Sequence, residues 1–341
     1  MGRQRAAPCT CRPTIRLNQG CPPVVKYILR RLLISVPVLL GVTLVIFMFA
    51  SAMPGDAVVA MISDESPLAE DLIRIRRGQL GLDDSVPVQY VRWISNVLRG
   101  NLGYSYVNGT SISAMILDRV PATVQLMGTS LVIAVILGCV LGIIIAVRRD
   151  TWLDYALTVL GFVGLSMPVF FLGMMLVYVF SLRLGWLPTS GRVTAGEPYS
   201  FIDNLRHLIL PATCLVLVRT PLFMRHMRAS MLEVINNDYT RTARGKGLRE
   251  RTVLVRHVLR NALIPVITVV GVTLPVLFSG AIIVETVFQW PGIGLLYINA
   301  ITLRDIPVLM GITTITAVLV VFSNLLTDIV YSLVDPRIKY T

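Results

Sequence analysis

Six long apolar stretches run through the chain, over about residues 28–52, 122–147, 155–182, 208–227, 263–288 and 306–333, with polar segments between them. A hydrocarbon core of about 30 Å takes about 20 helical residues to cross. Inside it only a helix keeps every backbone amide paired. The pattern therefore predicts an all-α, polytopic integral membrane protein with six transmembrane helices. Pro211 and Pro221 predict a break in the fourth stretch, and Pro168 a packing kink in the third.

Composition narrows the class further. Of 341 residues, 55% are hydrophobic and 15% charged, with a mean hydropathy of +0.72. Soluble domains carry about 25% charge. A disordered protein, a collagen, a coiled coil and an ordinary cytosolic enzyme are excluded. The formal net charge is +12. Segments 1–31, 148–154, 225–262 and 335–341 hold 20 Lys/Arg against 6 acids, whereas 53–120, 183–206 and 285–306 hold 10 cations against 12 acids. Cations gather in cytoplasmic loops. Both termini are therefore expected inside. The charge orients a membrane protein, and no nucleic-acid partner is expected.

Four segments organise the chain. Residues 1–25 carry Arg, Pro and Cys, with no apolar signal core and no small-residue cleavage site. They are expected to be a disordered N-terminal extension; alternatively, the natural start lies near Val24 or Val25. Residues 26–341 form the membrane domain. Within it, 53–120 is expected to be a helical loop capping the outer face, with helix-capable stretches at 68–80 and 88–98 around a turn-rich 81–87. Residues 225–262 form a long cytoplasmic loop.

Little of the chain is equipped for catalysis. A P-loop needs Gly-Lys followed by Ser or Thr. The lysines are Lys26, Lys246 and Lys339, and none fits. Any ATP must bind elsewhere. No H-E-x-x-H occurs around His207, His226 or His257, which are expected to be solvated or interfacial. Gly164-Leu165-Ser166-Met167 departs from a G-x-S-x-G nucleophile turn and has no histidine base in the fifth or sixth stretch. Cys9, Cys11 and Cys21 fit no zinc spacing; Cys139 and Cys214 fall in apolar runs and read as small hydrophobes. No metal site and no bound cofactor are expected. Gly138-x-x-x-Gly142 allows a close helix approach. Arg219, Glu285 and Asp328 are ionisable groups in or near spans, and each should face protein or water. They are candidate pathway or gating residues. For Glu285 and Asp328 the competing reading is interhelical hydrogen bonding near a span end.

The 225–262 loop is the most informative segment. It is basic yet carries two apolar clusters, one at Met231, Leu232, Val234 and Ile235, the other from Leu248 to Leu259. Between them Asp238 is placed to cap a short helix over 239–246, stopped by Gly247. A solvated loop does not need apolar residues. A helix that seats in a partner's groove does. An amphipathic helix on lipid headgroups is the alternative.

Residues 238–248, DYTRTARGKGL, resemble the EAA-type signature of ABC-importer permeases, in the form of the dipeptide/oligopeptide/nickel permease family. Ala243 matches the signature's second Ala and Gly247 its Gly. Arg241 and Thr242 stand where the general signature has Glu and Ala, as in this subfamily. The Leu-Pro end of the general signature becomes Ile264-Pro265, with Arg256–Ala262 filling the extra length. KYILRRLL at 26–33, MPGD at 53–56, GNLGYS at 100–105, GWLPTSG at 185–191, ETVFQWPGIG at 285–294 and DPR at 335–337 resemble further family motifs in the same order. The resemblance implies a type I importer permease of the first-subunit kind. It implies an ATPase-coupling loop at Asp238, Tyr239, Arg241, Thr242, Ala243, Lys246 and Gly247. It implies a second homologous permease, two P-loop ATPases that hold ATP and Mg, an extracytoplasmic binding protein, and a bacterial or archaeal plasma membrane. The cargo would be di- or oligopeptides, with nickel or another small solute as the alternative. A membrane scaffold that docks a soluble partner is the alternative of another class.

Overall fold

The computed structural model describes residues 24–52, 74, 75, 78, 83–278 and 282–334. Residues 1–23 of the extension, the 53–56 and 335–337 motifs and most of 68–80 lie outside them. The described residues are mainly helical, and among them no strand forms beyond one Tyr104–Ser111 bridge. Among the described residues five helices are long and apolar enough to cross a membrane, or six if one sharply bent pair is a single span. We call the two ends of the bundle outer and inner after the charge pattern.

Helix α1 (Val24–Ala52) crosses first, with many of its apolar side chains exposed, as suits a lipid-facing helix. Helix α2 (Val86–Leu98) begins with Pro87 in its first turn, close to the expected 88–98. Its Tyr90 and Trp93 rings pack on Phe47 at 5.5 and 5.9 Å, and the Tyr90 and Thr43 hydroxyls lie 3.0 Å apart. Helix α2 therefore lies along the outer half of α1. Helix α3 (Ile112–Val147) starts ten residues before the apolar stretch and runs through Pro121.

The third stretch is a bent pair rather than one kinked helix. Helices α4 (Trp152–Ser166) and α5 (Val169–Leu176, continued as a π-helix over Val177–Arg183) meet at 103°. Pro168 lacks an N–H and forces the preceding residue out of the helical region. Met167 accordingly has φ −79° and ψ 132°. The fourth stretch corrects the opposite way. Helix α6 (Phe201–Ile235) is continuous through Pro211 and Pro221. Both prolines are buried, and a spanning helix tolerates proline where neighbouring helices enclose it. The expected break is absent.

Helices α3 and α6 form the most extensive pair in the bundle. A Cβ at Gly138 would lie 2.5 Å from Phe223 Cβ, and one at Gly142 2.6 Å from Met227 Cβ. The Gly-x-x-x-Gly spacing thus has α6 as its partner. Helix α7 (Asp238–Gly245) follows on the inner face. Helix α8 (Glu250–Phe278) then enters the bundle, π-helical over Val253–Leu259. The second apolar cluster of the cytoplasmic loop is therefore the beginning of a spanning helix. Helices α9 (Ile282–Val287), α10 (Ile293–Thr302) and α11 (Ile306–Val334) complete the chain.

Candidate functional site: an inner-face docking helix and a mid-span arginine

Helix α7 is short, so its ends decide whether it forms. Asn237, extended at φ −70° and ψ 149°, is the N-cap residue, and its carbonyl accepts from Thr240 and Arg241 N–H at 3.0 and 3.2 Å. Asp238, expected as the cap, is instead the first helical residue. There its carboxylate still complements the positive helix end. The helix covers Asp238–Gly245, one residue earlier than expected. Gly247 has φ +77° and donates to Arg244 O at 2.9 Å, while Lys246 N–H donates to Thr242 O at 3.1 Å. Only glycine takes that left-handed turn without steric cost.

Two residues seat the helix. Thr240 and Ala243, three apart on one face, are buried. Thr240 Oγ1 donates to Val234 O on α6 at 2.9 Å. Ala243 packs in a cluster with Val234 of α6 and Val253, Val258 and Ala262 of α8. Asn261 Nδ2 donates to the Tyr239 hydroxyl at 3.3 Å. Arg244 makes two hydrogen bonds, at 2.7 and 3.1 Å, to Glu250 at the start of α8. That carboxylate raises the Arg244 pKa further, although solvent screens the pair. The seven expected coupling residues therefore divide. Asp238, Tyr239, Arg241, Thr242, Lys246 and Gly247 are exposed. Ala243 is buried and faces the chain's own core, where it seats the helix. Beside α7 a groove of about 340 Å³ opens between Val147, Leu232, Ile235 and Leu254.

The three candidate pathway residues lie on three different helices. Glu285 on α9 is fully buried. Its Oε1 accepts from Thr123 Oγ1 at 3.0 Å, and its Oε2 from Leu295 N–H at 3.1 Å. Thr123 Oγ1 in turn accepts from Ile293 N–H at 2.8 Å, and Trp290 Nε1 donates to Ala122 O at 2.8 Å. The carboxylate thus sits at the N-terminus of α10, where partial positive charge gathers. That is the interhelical hydrogen bonding weighed against a pathway role. Asp328 lies on α11, with its side chain outside the described residues. Arg219 sits near the middle of α6, half-buried, in intact helix rather than the unwound stretch expected between the prolines. A cation at the centre of a spanning helix costs about 2.5–3.5 kcal/mol on insertion scales.

Comparison with known proteins decides the family. The family model described as binding-protein-dependent transport system inner membrane component matches residues 138–340, and its N-terminal counterpart matches 24–127. The chain belongs to this permease family. The oligopeptide transport system permease protein AppB of Bacillus subtilis is 42% identical over 315 residues, covering 92% of this chain and 99% of its own length. The dipeptide transport system permease protein DppB of Escherichia coli K12 is 36% identical over 338 residues, covering 93% and 99%. The glutathione transport system permease protein GsiC of Salmonella paratyphi A is 38% identical over 317 residues, covering 93% and 100%. A solved structure of the MetNI methionine ABC transporter in inward-facing conformations shares the fold. Its TM-score is 0.51 at 15% identity, covering 65% of this chain and 96% of that one. The chain is thus a multi-pass inner membrane permease with the type I importer fold.

Three polar clusters of the permease escaped sequence reasoning. Asp305, between α10 and α11, accepts from Ser105 Oγ and, at 3.1 Å, from Tyr106 N–H. It latches the 100–111 loop to the outer end. Arg192 donates to Gln125 at 3.0 and 3.2 Å, and Gln125 bonds the fully buried Asn204. At the inner end Arg228 donates to the buried Asp154 at 2.7 Å. The signal was an acid on the boundary of an apolar run, as Asp305 stands just before Ile306. His207, expected to be solvated or interfacial, is buried near the start of α6 and bonded through Nδ1 to Asp203 O at 3.0 Å. Among the described residues no group of three metal-ligating side chains forms.

Proposed function

We propose that this permease carries di- or oligopeptides inward as half of a heterodimeric pathway, and that α7 couples it to an ATPase. The observation that carries the proposal is the division of α7 into a seated face and an exposed polar face. Thr240 ties α7 to α6, and Ala243 wedges it against α6 and α8. A force on the exposed face therefore reaches two spanning helices at once. Helix α6 is unbroken over 35 residues, which makes it a stiff element for transmitting that force.

In this reading the partners are a homologous permease, two P-loop ATPases that hold ATP and Mg, and an extracytoplasmic binding protein. The chain itself binds no cofactor and catalyses no reaction. It lies in a bacterial or archaeal plasma membrane with both ends of the chain inside. Residues 53–120 face outward as a cap, 225–262 face the ATPases, and 1–25 are a cytoplasmic extension. Closure of the ATPases on ATP draws the docking helices together and turns the permease pair outward. The peptide cargo is supported by relatives named for oligopeptide, dipeptide and glutathione transport.

The test is capture of the tagged chain from its native membrane in mild detergent, with mass spectrometry of what accompanies it. A sister permease and Walker-A ATPases are expected, with the ATPases lost when Arg241 and Lys246 are reversed in charge. A chain captured alone, under conditions that keep a known ABC complex whole, would favour a scaffold or lipid-bound loop instead.

A further inference from the structure

The Arg219 face of α6 changes character along its length. Leu208, Ala212 and Leu215 recur at helical spacing on this face and are buried. From Arg219 inward, at Leu222 and His226, the same stripe is only half-buried. The sealed outer half thus ends at Arg219. Helices α3, α4, α5, α8 and α9 all pack against α6. Helix α3 packs on the Phe223 and Met227 face, and α4 on the Pro221 face through Gly161.

Arg219 makes no hydrogen bond or ion pair among the described residues. The buried acids Asp154 and Glu285 are already engaged. Asp154 is bonded to Arg228, and Glu285 to Thr123 and Leu295. An arginine stays charged in any protein environment, and an unpaired one does not rest in lipid. It needs water or an anion beside it.

We propose that Arg219 contacts the C-terminal carboxylate of a peptide in transit; this rests on the peptide-permease reading above. The guanidinium fork matches a carboxylate with two parallel hydrogen bonds. Every linear free-acid peptide carries that group whatever its side chains. One mid-membrane arginine therefore gives attraction that ignores sequence. Its place where the face opens inward lets the cargo leave on the inner side. A single contact of this kind holds the cargo briefly and does not trap it.

The experiment uses the whole complex, purified from native membranes through this chain and placed in proteoliposomes with its binding protein. Initial uptake of radiolabelled trialanine and of trialanine amide is compared for wild type, Arg219→Gln and Arg219→Lys. Arg219→Gln is expected to lower free-acid uptake roughly tenfold relative to the amide, the scale of one charge-assisted hydrogen bond. Arg219→Lys, which keeps the charge, is expected to restore most of the wild-type ratio. An acid-to-amide ratio unchanged by Arg219→Gln would overturn the inference and leave the peptide reading standing. So would an Arg219→Gln chain that no longer co-purifies with its sister permease, since Arg219 would then serve subunit pairing. A wild-type complex that moves neither peptide would overturn both.

Discussion

The outer latch around Glu285 and the inner helix α7 solve opposite problems with similar residues. At the latch, Glu285, Thr123 and Trp290 are buried; Thr123 and Leu295 N–H donate to the carboxylate, and the indole donates to Ala122 O. At α7 two small residues hold the helix, while its charged residues meet solvent. Buried polar groups that satisfy each other fix one geometry and are costly to disturb. A short helix on two anchors is stable in its seat yet leaves most of its surface free. The difference separates what holds the permease together from what it presents.

Glu285→Leu should have the largest effect. It leaves Thr123 Oγ1 and Leu295 N–H without their acceptor, at about 3–5 kcal/mol. The expected outcome is loss of folded permease, read as a collapsed monodisperse peak in detergent. Normal yield and thermal stability would remove the latch from the outer end's support. Gly142→Leu comes next. It drives a side chain into Met227 at the α3–α6 seam, and overpacking costs about 1–3 kcal/mol. A lowered melting temperature is expected, with transport falling in parallel.

The inner helix should answer differently. Gly247→Pro demands φ near −65° where the backbone holds +77°. It should misplace α7 and uncouple ATP hydrolysis from uptake, with the spans still folded. Ala243→Leu should do the same by lifting α7 from Val253 and Val258, at a global stability cost of about 1 kcal/mol. The ratio of ATP hydrolysed to substrate moved is the readout, and a ratio equal to wild type in both would deny α7 its mechanical role. Arg241→Glu should change least in the fold, within about 0.5 kcal/mol, because its side chain is exposed. Its effect should appear only as weaker ATPase retention.

Much of this was legible in the sequence, for physical reasons that differ by element. Hydropathy located the six stretches, because the bilayer demands length and apolarity whatever the packing. Gly247 was legible because a left-handed turn after a polar helix has few solutions. The prolines were not. Pro168 bends its span by 103° while Pro211 and Pro221 leave α6 continuous. The outcome depends on whether neighbours enclose the proline, which one chain's pattern does not encode. Ala243 lies in the motif and is buried, because a motif marks a helix without saying which of its residues seat it on the chain's own core. Glu285 and Asp305 showed their burial only once α3 and the 100–111 loop had folded onto them.

The most direct measurement is a photo-crosslinker placed at Arg241 in the chain in its native membrane, with identification of the adduct by mass spectrometry. A covalent adduct with a Walker-A ATPase subunit is the expected result, because Arg241 stands on the exposed face of α7. Adducts with lipid alone, in membranes where the complex is intact, would contradict ATPase docking through this helix.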